Sequence, residues 1–268
     1  MHISQIEEFK KCYEDFTYFL SKYVKICHPL RGWINFDVHP YQKRLWETYD
    51  DKRFVILTKF RKGGFTTLTC LWALYQCMFK LDKRVMIACK RMSDAADIKN
   101  RLIKPVLQFL PEWMRPTLGT NNQNNMEFKD TNSHLHFSNM EATRGCRLDC
   151  LIIDEAAFHK KLEQNWKAYY PCLSCGGQCF VLSTTNGIGN WFQETYHNAQ
   201  EGKNAFHIFF ADYKEHPDWQ SEKWASDQKV ALGEKGWAQE VLQCFLLDNG
   251  YDEDESSIST QPNSGSNS

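Results

Sequence analysis

An α/β fold with a mostly parallel sheet flanked by helices is predicted by three features of this sequence. Short, continuous apolar runs at 54–57, 84–88, 151–153, 180–183 and 206–210 have the length and texture of strands buried on both faces. Helical patterns separate most of them, and alternating strand and helix implies parallel pairing through crossovers. Two of the runs end in residues suited to chemistry, a glycine turn at Gly63-Gly64 and an acidic pair at Asp154-Glu155.

Taken in order, residues 4–26 carry Ile6, Phe9, Cys12, Phe16, Phe19, Leu20 and Tyr23 at helical spacing, as one or two amphipathic helices. Residues 31–37 read as a loop with a short extended piece. His39-Pro40 opens a helix holding Tyr41, Leu45 and Trp46, with proline at a tolerated first-turn position. The run at 54–57 is the first buried strand, and a helix extends from Thr66 to about Phe79. After the strand at 84–88, Ser93 is expected to cap a helix running towards Leu110, which Pro111 follows. Residues 126–138 alternate around Asp130-Thr131-Asn132 as in a hairpin. The expected organisation is a helical lead-in over 1–38, a single α/β domain over 39–247, and a tail over 248–268 too polar to fold.

The 42% hydrophobic content suits a globular chain, and 268 residues suffice for a sizeable core. The net charge of −1 conceals an asymmetry. Asp248, Asp252, Glu253, Asp254 and Glu255 are the only charges after residue 247, and without them the chain carries +4. A mildly basic folded part permits nucleic-acid contact without demanding it. Eleven cysteines, an odd number scattered mostly through apolar runs, do not form a secreted disulfide framework. No signal peptide is visible, and no apolar run reaches the roughly 18–20 residues of a membrane span. A soluble, intracellular protein is expected.

The segment Lys59-Phe60-Arg61-Lys62-Gly63-Gly64-Phe65-Thr66-Thr67 lies between a buried strand and a helix, the setting of a phosphate-binding loop. Backbone N–H groups around Gly63 and Gly64, with those of the helix start, are placed to cradle phosphates, and glycine lets the backbone approach the anion. Thr66 is placed to offer its hydroxyl to Mg2+. The usual motif has lysine directly after the last glycine. Here Phe65 stands in that place, and the available cations are upstream, at Lys59, Arg61 and Lys62. Asp154 and Glu155 emerge at the carboxyl end of a strand, where ligands sit in open α/β sheets. In an NTPase the first acid holds Mg2+ through bound waters and the second polarises the attacking water. Loop and acids together predict a P-loop NTPase of the RecA/ASCE-like kind.

On these residues the chain resembles the terminase large subunit family of tailed phages, over nearly all of residues 5–247. That family's loop has the form Lys-x-Arg-x-x-Gly-(bulky)-Ser/Thr-Thr, which Lys59, Arg61, Gly64, Phe65, Thr66 and Thr67 fill in order. The resemblance implies that Lys59 or Arg61 serves for the displaced lysine. His39-Pro40-Tyr41-Gln42 resembles the adenine-side motif, with Gln42 reading the base. Thr143-Arg144-Gly145 resembles a motif kept before Walker B, and Asp154-Glu155-Ala156-Ala157 resembles the Walker B continuation. The run from Leu182 to Gly187 resembles the coupling motif, in which Thr184 and Thr185 meet the γ-phosphate. Gln239-Glu240 with Cys244-Phe245 resembles the segment that closes the ATPase domain.

The implied activity is Mg2+-dependent ATP hydrolysis that drives dsDNA into a procapsid. Arg61 in cis, Arg144, or an arginine from a neighbouring subunit stabilises the charge on the transferring phosphoryl group. Implied partners are dsDNA, a portal protein, a small terminase subunit and further copies of the chain in a ring. The implied location is the host cytoplasm rather than the mature virion. The family usually continues into an RNase H-like nuclease. No such activity is expected from this polypeptide, the nuclease being a separate domain or chain or lost by truncation. Two rival functions are a helicase-like DNA translocase and a packaging assembly protein without turnover, the latter favoured by Phe65.

Other chemistry-bearing residues have blander readings. Cys172, Cys175 and Cys179, even joined by Cys146 and Cys150, lack the paired knuckles of a zinc site and read as free thiols. His134 and His136 share a hairpin face without a third ligand. Trp191 and Trp219 read as packing residues. Lys83-Arg84 and Lys90-Arg91 read equally as DNA-phosphate contacts or as solvated strand ends.

Overall fold

The computed structural model describes residues 2–28, 31–139 and 147–247. Two helices, α1 (Ile3–Glu14) and α2 (Phe16–Tyr23), begin the chain, and Asp15 between them caps α2 by accepting from the Tyr18 N–H. A small antiparallel hairpin, β1 (Lys25–His28) and β2 (Gly32–Asn35), follows and joins no other sheet. Helix α3 (Pro40–Asp51) starts at the expected proline and leads into β3 (Phe54–Thr58), whose five residues are all buried.

Next come α4 (Phe65–Phe79) and β4 (Arg84–Ala88). Twelve of the fifteen residues of α4 are buried, as befits a helix that is apolar nearly all round and lies between the sheet and the N-terminal helices. The helix expected to start at a Ser93 cap is built differently. Helix α5 (Met92–Ile98) has Arg91 as its N-cap, the Arg91 guanidinium pairs with Asp94, and the Ser93 hydroxyl turns to the same carboxylate instead of capping. A π-helical turn over Lys99–Ile103 separates α5 from α6 (Lys104–Phe109). Pro105 has no N–H to return to the preceding turn, and widening the turn accommodates its ring.

Strands β5 (Leu118–Asn121), β6 (Asn125–Phe128) and β7 (Ser133–Ser138) form an antiparallel extension that contains the expected hairpin. They are followed by β8 (Cys150–Asp154), α7 (Leu162–Tyr169), β9 (Gln178–Ser183), α8 (Trp191–Gln200), β10 (His207–Phe209) and α9 (Glu222–Glu240), which is kinked at Gly233. The large sheet has the order β10-β3-β9-β8-β4-β7-β6-β5, and every pairing is parallel except β7–β6 and β6–β5.

Apolar side chains pack on both faces. One face carries Val55, Leu57, Val85, Ile87, Ile152 and Phe180 against α4, and α1 to α3 form part of the same cluster. The other carries Ile56, Met86, Leu151, Ile153 and Val181 against residues of α7 and α8. The lead-in thus shares the core of the α/β unit. The stacked rings of Tyr49 and Phe180, 3.9 Å apart, pin α3 to the central strand β9. Since β9 lies between β3 and β8, the carboxyl ends of β3 and β8 open on one edge of the sheet two strands apart. The expected tail over 248–268 and the Thr143-Arg144-Gly145 motif lie outside the described residues.

Candidate active site

The loop that leaves β3 is anchored from below by aromatic rings. Phe60 and Phe65 are both buried, meet edge to face at 4.9 Å, and pack on Tyr41 of α3. Phe65 therefore points into the core. A Cβ on Gly63 would run into both Phe60 and Phe65. Gly64 sits at φ 75°, where side chains are strained, and a Cβ there would lie 2.6 Å from Gln42 Nε2. Gly64 is also the N-cap of α4, whose first-turn N–H groups, those of Thr66 and Thr67 included, have no intrahelical acceptor.

Tyr41 and Gln42 hold the turn. The Tyr41 hydroxyl (2.8 Å) and Gln42 Nε2 (3.1 Å) both donate to the Gly63 carbonyl, while Gln42 Oε1 accepts from the His39 N–H. The buried amide of Gln42 is thus engaged at both ends with this chain's backbone. Lys62, at φ 62°, and Arg61 are exposed on the outer side of the loop. The Arg61 side chain is 67% exposed and reaches Glu240 Oε2 at 3.3 Å, and its N–H donates to the Glu240 carbonyl.

Lys59 is different. It is the first residue after β3, its N–H donates to the Ser183 carbonyl of β9, and its side chain is only 7% exposed. The ammonium reaches past β9 to Asp154 Oδ1 (2.6 Å), Glu155 Oε1 (2.9 Å) and Thr66 Oγ1 (2.8 Å). Two strand spacings amount to about 9.6 Å, so a long side chain is needed to make this connection. Burial by itself pushes the ammonium towards the neutral form. The Asp154 and Glu155 carboxylates outweigh that and hold it above the ordinary lysine value.

The Thr66 hydroxyl also lies 3.0 and 3.1 Å from the two Asp154 oxygens. A threonine hydroxyl beside a carboxylate is an all-oxygen donor set, and a cation of the chain's own already sits between the two. The residues therefore fit a hard divalent cation such as Mg2+. Glu155 adopts a left-handed conformation, φ 53° and ψ 42°, immediately after the buried strand. Such backbone strain in a residue with a Cβ turns its carboxylate sharply off the strand line, here to Lys59, and leaves it 43% exposed.

The ends of β8 and β9 are tied together. Ser183 Oγ accepts from the Ala157 N–H (3.1 Å), Asn186 Nδ2 donates to the Ala157 carbonyl (3.2 Å), and His159 Nε2 lies 3.2 Å from the Asp154 carbonyl oxygen. Thr184 is buried. The Thr185 hydroxyl faces the other way, donating to the Cys244 (2.7 Å) and Gln239 (3.1 Å) carbonyls. Buried Gln243 bridges Thr58 Oγ1 and the Ala211 carbonyl. Gln243 supports the site without a sequence signal of its own, because its partners Thr58 and Ala211 are remote in sequence.

The structure thus gathers Lys59, Thr66, Asp154 and Glu155, with Gly63, Gly64, Phe65 and Thr67 beside them. Arg61 and Thr185 point elsewhere, Lys62 is exposed, and Arg144 lies outside the described residues. Cys150, Cys172 and Cys179 are buried and Cys175 is exposed, while Cys146 is not among the described residues. His134 and His136 stack at 5.8 Å on one face of β7.

Residues 60–254 match the family model described as terminase large subunit, T4likevirus-type, N-terminal. The probable terminase large subunit gp28 of Escherichia phage Mu is 35% identical over 65 residues, which is 24% of this chain and 12% of that protein. The match thus spans about an eighth of this curated relative. The large terminase ATPase domain of Thermus phage P74-26 superposes with a TM-score of 0.64 at 17% identity, covering 79% of this chain and 95% of that one. A large terminase from a thermophilic bacteriophage, solved in complex with ATP-gamma-S, superposes with a TM-score of 0.60 at 16% identity, covering 81% of this chain and 56% of that one.

Proposed function

The chain belongs to the terminase large subunit family, and from that membership we propose that it is an ATP-hydrolysing motor that drives dsDNA into a viral procapsid. The observation that carries this reading is the convergence of Lys59, Thr66, Asp154 and Glu155 at the edge where β3 and β8 end. ATP is held by the backbone of Gly63 and Gly64 and the start of α4, a ready anion site. Lys59, rather than exposed Arg61, replaces the lysine that the loop lacks. Thr66 and Asp154 hold Mg2+, which supplies charge neutralisation at the phosphates. Glu155 orients and deprotonates the attacking water. Tyr41 and Gln42 position the loop through the Gly63 carbonyl. A charge-stabilising arginine comes from Arg144 or from a neighbouring subunit.

Phe65 was the feature favouring an assembly protein without turnover. Its ring packs on Tyr41 and Phe60, so its apolar character serves the core and says nothing against catalysis. Coupling to DNA movement runs through the ties between Ser183, Asn186 and Ala157, which join the β9 end to the turn carrying Glu155. The proposed partners are dsDNA, a portal protein, a small terminase subunit and further copies of the chain in a ring, and the proposed setting is the host cytoplasm.

The test is ATP turnover by the wild type with and without DNA and portal, beside Glu155→Ala. Turnover stimulated by DNA and abolished in the variant is expected. A wild type that turns over no ATP with DNA and portal present sinks the reading.

A further inference from the structure

The Lys59 ammonium has three N–H donors, and the structure gives it three acceptors: Asp154 Oδ1 at 2.6 Å, Thr66 Oγ1 at 2.8 Å and Glu155 Oε1 at 2.9 Å. These are the oxygens that the ATPase reading needs free, two for the divalent cation and one for the attacking water. An ammonium and a divalent cation cannot both sit at bonding distance from the same Asp154 and Thr66 oxygens. The site's own cation saturates them.

The charge arithmetic points the same way. Two carboxylates alone would present −2 to an entering cation, and the Lys59 ammonium cuts that to −1, weakening the pull on a divalent ion. Nucleotide phosphates change that, because they offer the ammonium an alternative anion beside the Gly64-capped start of α4. Lys59 needs only to swing its side chain, since its backbone stays fixed by the hydrogen bond to Ser183.

We infer that Lys59 is an internal counter-ion that excludes divalent cations from the nucleotide-free site and yields Thr66, Asp154 and Glu155 only when nucleotide phosphates draw it away. Cation and nucleotide then enter as a pair, and Glu155 cannot activate water until both are in place. The inference rests on the ATPase reading above.

The experiment titrates nucleotide-free wild type and Lys59→Met with Mn2+, reading free Mn2+ by electron paramagnetic resonance. Lys59→Met should take up one Mn2+ at least about tenfold more tightly than wild type, because a unit charge at this separation outweighs that factor even at a high effective dielectric. A non-hydrolysable ATP analogue should reverse the order, creating a tight Mn2+ site in the wild type while Lys59→Met binds the analogue more weakly. Equal or weaker Mn2+ uptake by folded Lys59→Met overturns the inference. So does a wild-type site as tight without the analogue as with it, a result that stands even if the variant does not fold. Failure of the wild type to bind the analogue with Mn2+ overturns the ATPase reading instead, and the two nucleotide-free titrations still decide the exclusion.

Discussion

The Lys59 ammonium lies 2.6 Å from Asp154 Oδ1 although the two residues leave strands separated by β9. Both groups are nearly inaccessible to water, so the pair is short of solvent screening, and each partner depends on the other. Asp154→Asn leaves the buried ammonium with only half-exposed Glu155, and breaking a buried pair in this way costs about 3 kcal/mol. Glu155→Gln removes a more solvated carboxylate and should cost about 1 kcal/mol or less. Urea unfolding of the two variants should rank them in that order. Turnover should fall in both, by about 10²–10⁴-fold for Glu155→Gln if it acts as a general base. Equal unfolding costs would contradict the burial asymmetry.

Gln42 and Tyr41 converge on one carbonyl, that of Gly63. This geometry predicts a positioning role that does not depend on the base. Gln42→Leu removes one donor to a buried acceptor and should lower stability by about 1–3 kcal/mol. It should weaken ATP and GTP binding by the same factor, as measured by competition with a fluorescent nucleotide. A selective loss of ATP would instead mean that the amide reads adenine.

Gly64 combines a left-handed backbone with a close approach to Gln42 Nε2. Gly64→Ala should cost about 1–2 kcal/mol from the backbone alone, with the displaced glutamine adding to it. Thermal melting reads the stability loss, and nucleotide titration should show weaker binding that excess Mg2+ does not restore. An unchanged melting temperature would show that the loop accepts a side chain.

The strands that build this site were legible because buried parallel strands need continuous apolar runs, and β3, β4, β8 and β9 have them. Thr66 and Asp154-Glu155 were legible because their chemistry is local to a strand end. What stayed hidden depends on partners far along the chain. The β1–β2 hairpin is mostly exposed and carries little apolar periodicity. The π-helical turn at Lys99–Ile103 is a backbone response to Pro105 that composition does not announce. The choice between Lys59 and Arg61 depended on which side chain turns inward. Spacing cannot answer that, whereas the burial of Lys59 against the 67% exposure of Arg61 does.

The α1–α2 corner has its own pH dependence. Lys22 Nζ at 2.5 Å and the Tyr18 and Tyr23 hydroxyls all donate to Glu8 Oε1. The Lys22 bond first, then that from Tyr18, pulls the Glu8 carboxyl from 4.5 down to about 2. A depressed folded value means that the stabilisation is complete above the unfolded value and is lost as pH falls through the folded one. The corner should therefore loosen between about pH 4.5 and about pH 2. Amide protection in α1 and α2, taken relative to the intrinsic exchange rate at each pH, should fall across that window in the wild type. In Glu8→Gln the protection should be lower at neutral pH and nearly flat across the window, and an identical acid profile in the two proteins would rule the corner out as the source.

Phe65 stands where phosphate loops usually carry lysine, so restoring that lysine is a direct test of how this loop works. In the structure the Phe65 ring is 2% exposed and lies against Phe60 and Tyr41, beneath the Gly63 carbonyl that Tyr41 holds. Phe65→Lys should therefore lose the ring's packing, a cost of about 3 kcal/mol or more. Its ammonium has no buried acid among the aromatic neighbours and must find its way to solvent or to the phosphates at the expense of the loop's shape. The double variant Lys59→Met/Phe65→Lys accordingly should not regain the turnover lost in Lys59→Met, whereas Lys59→Arg should retain part of it because a guanidinium still reaches Asp154. Steady-state hydrolysis by the three variants, each checked for folding by circular dichroism, measures this. Recovery of turnover in the double variant would mean that the two positions are interchangeable and that the inward packing of Phe65 is incidental to the site.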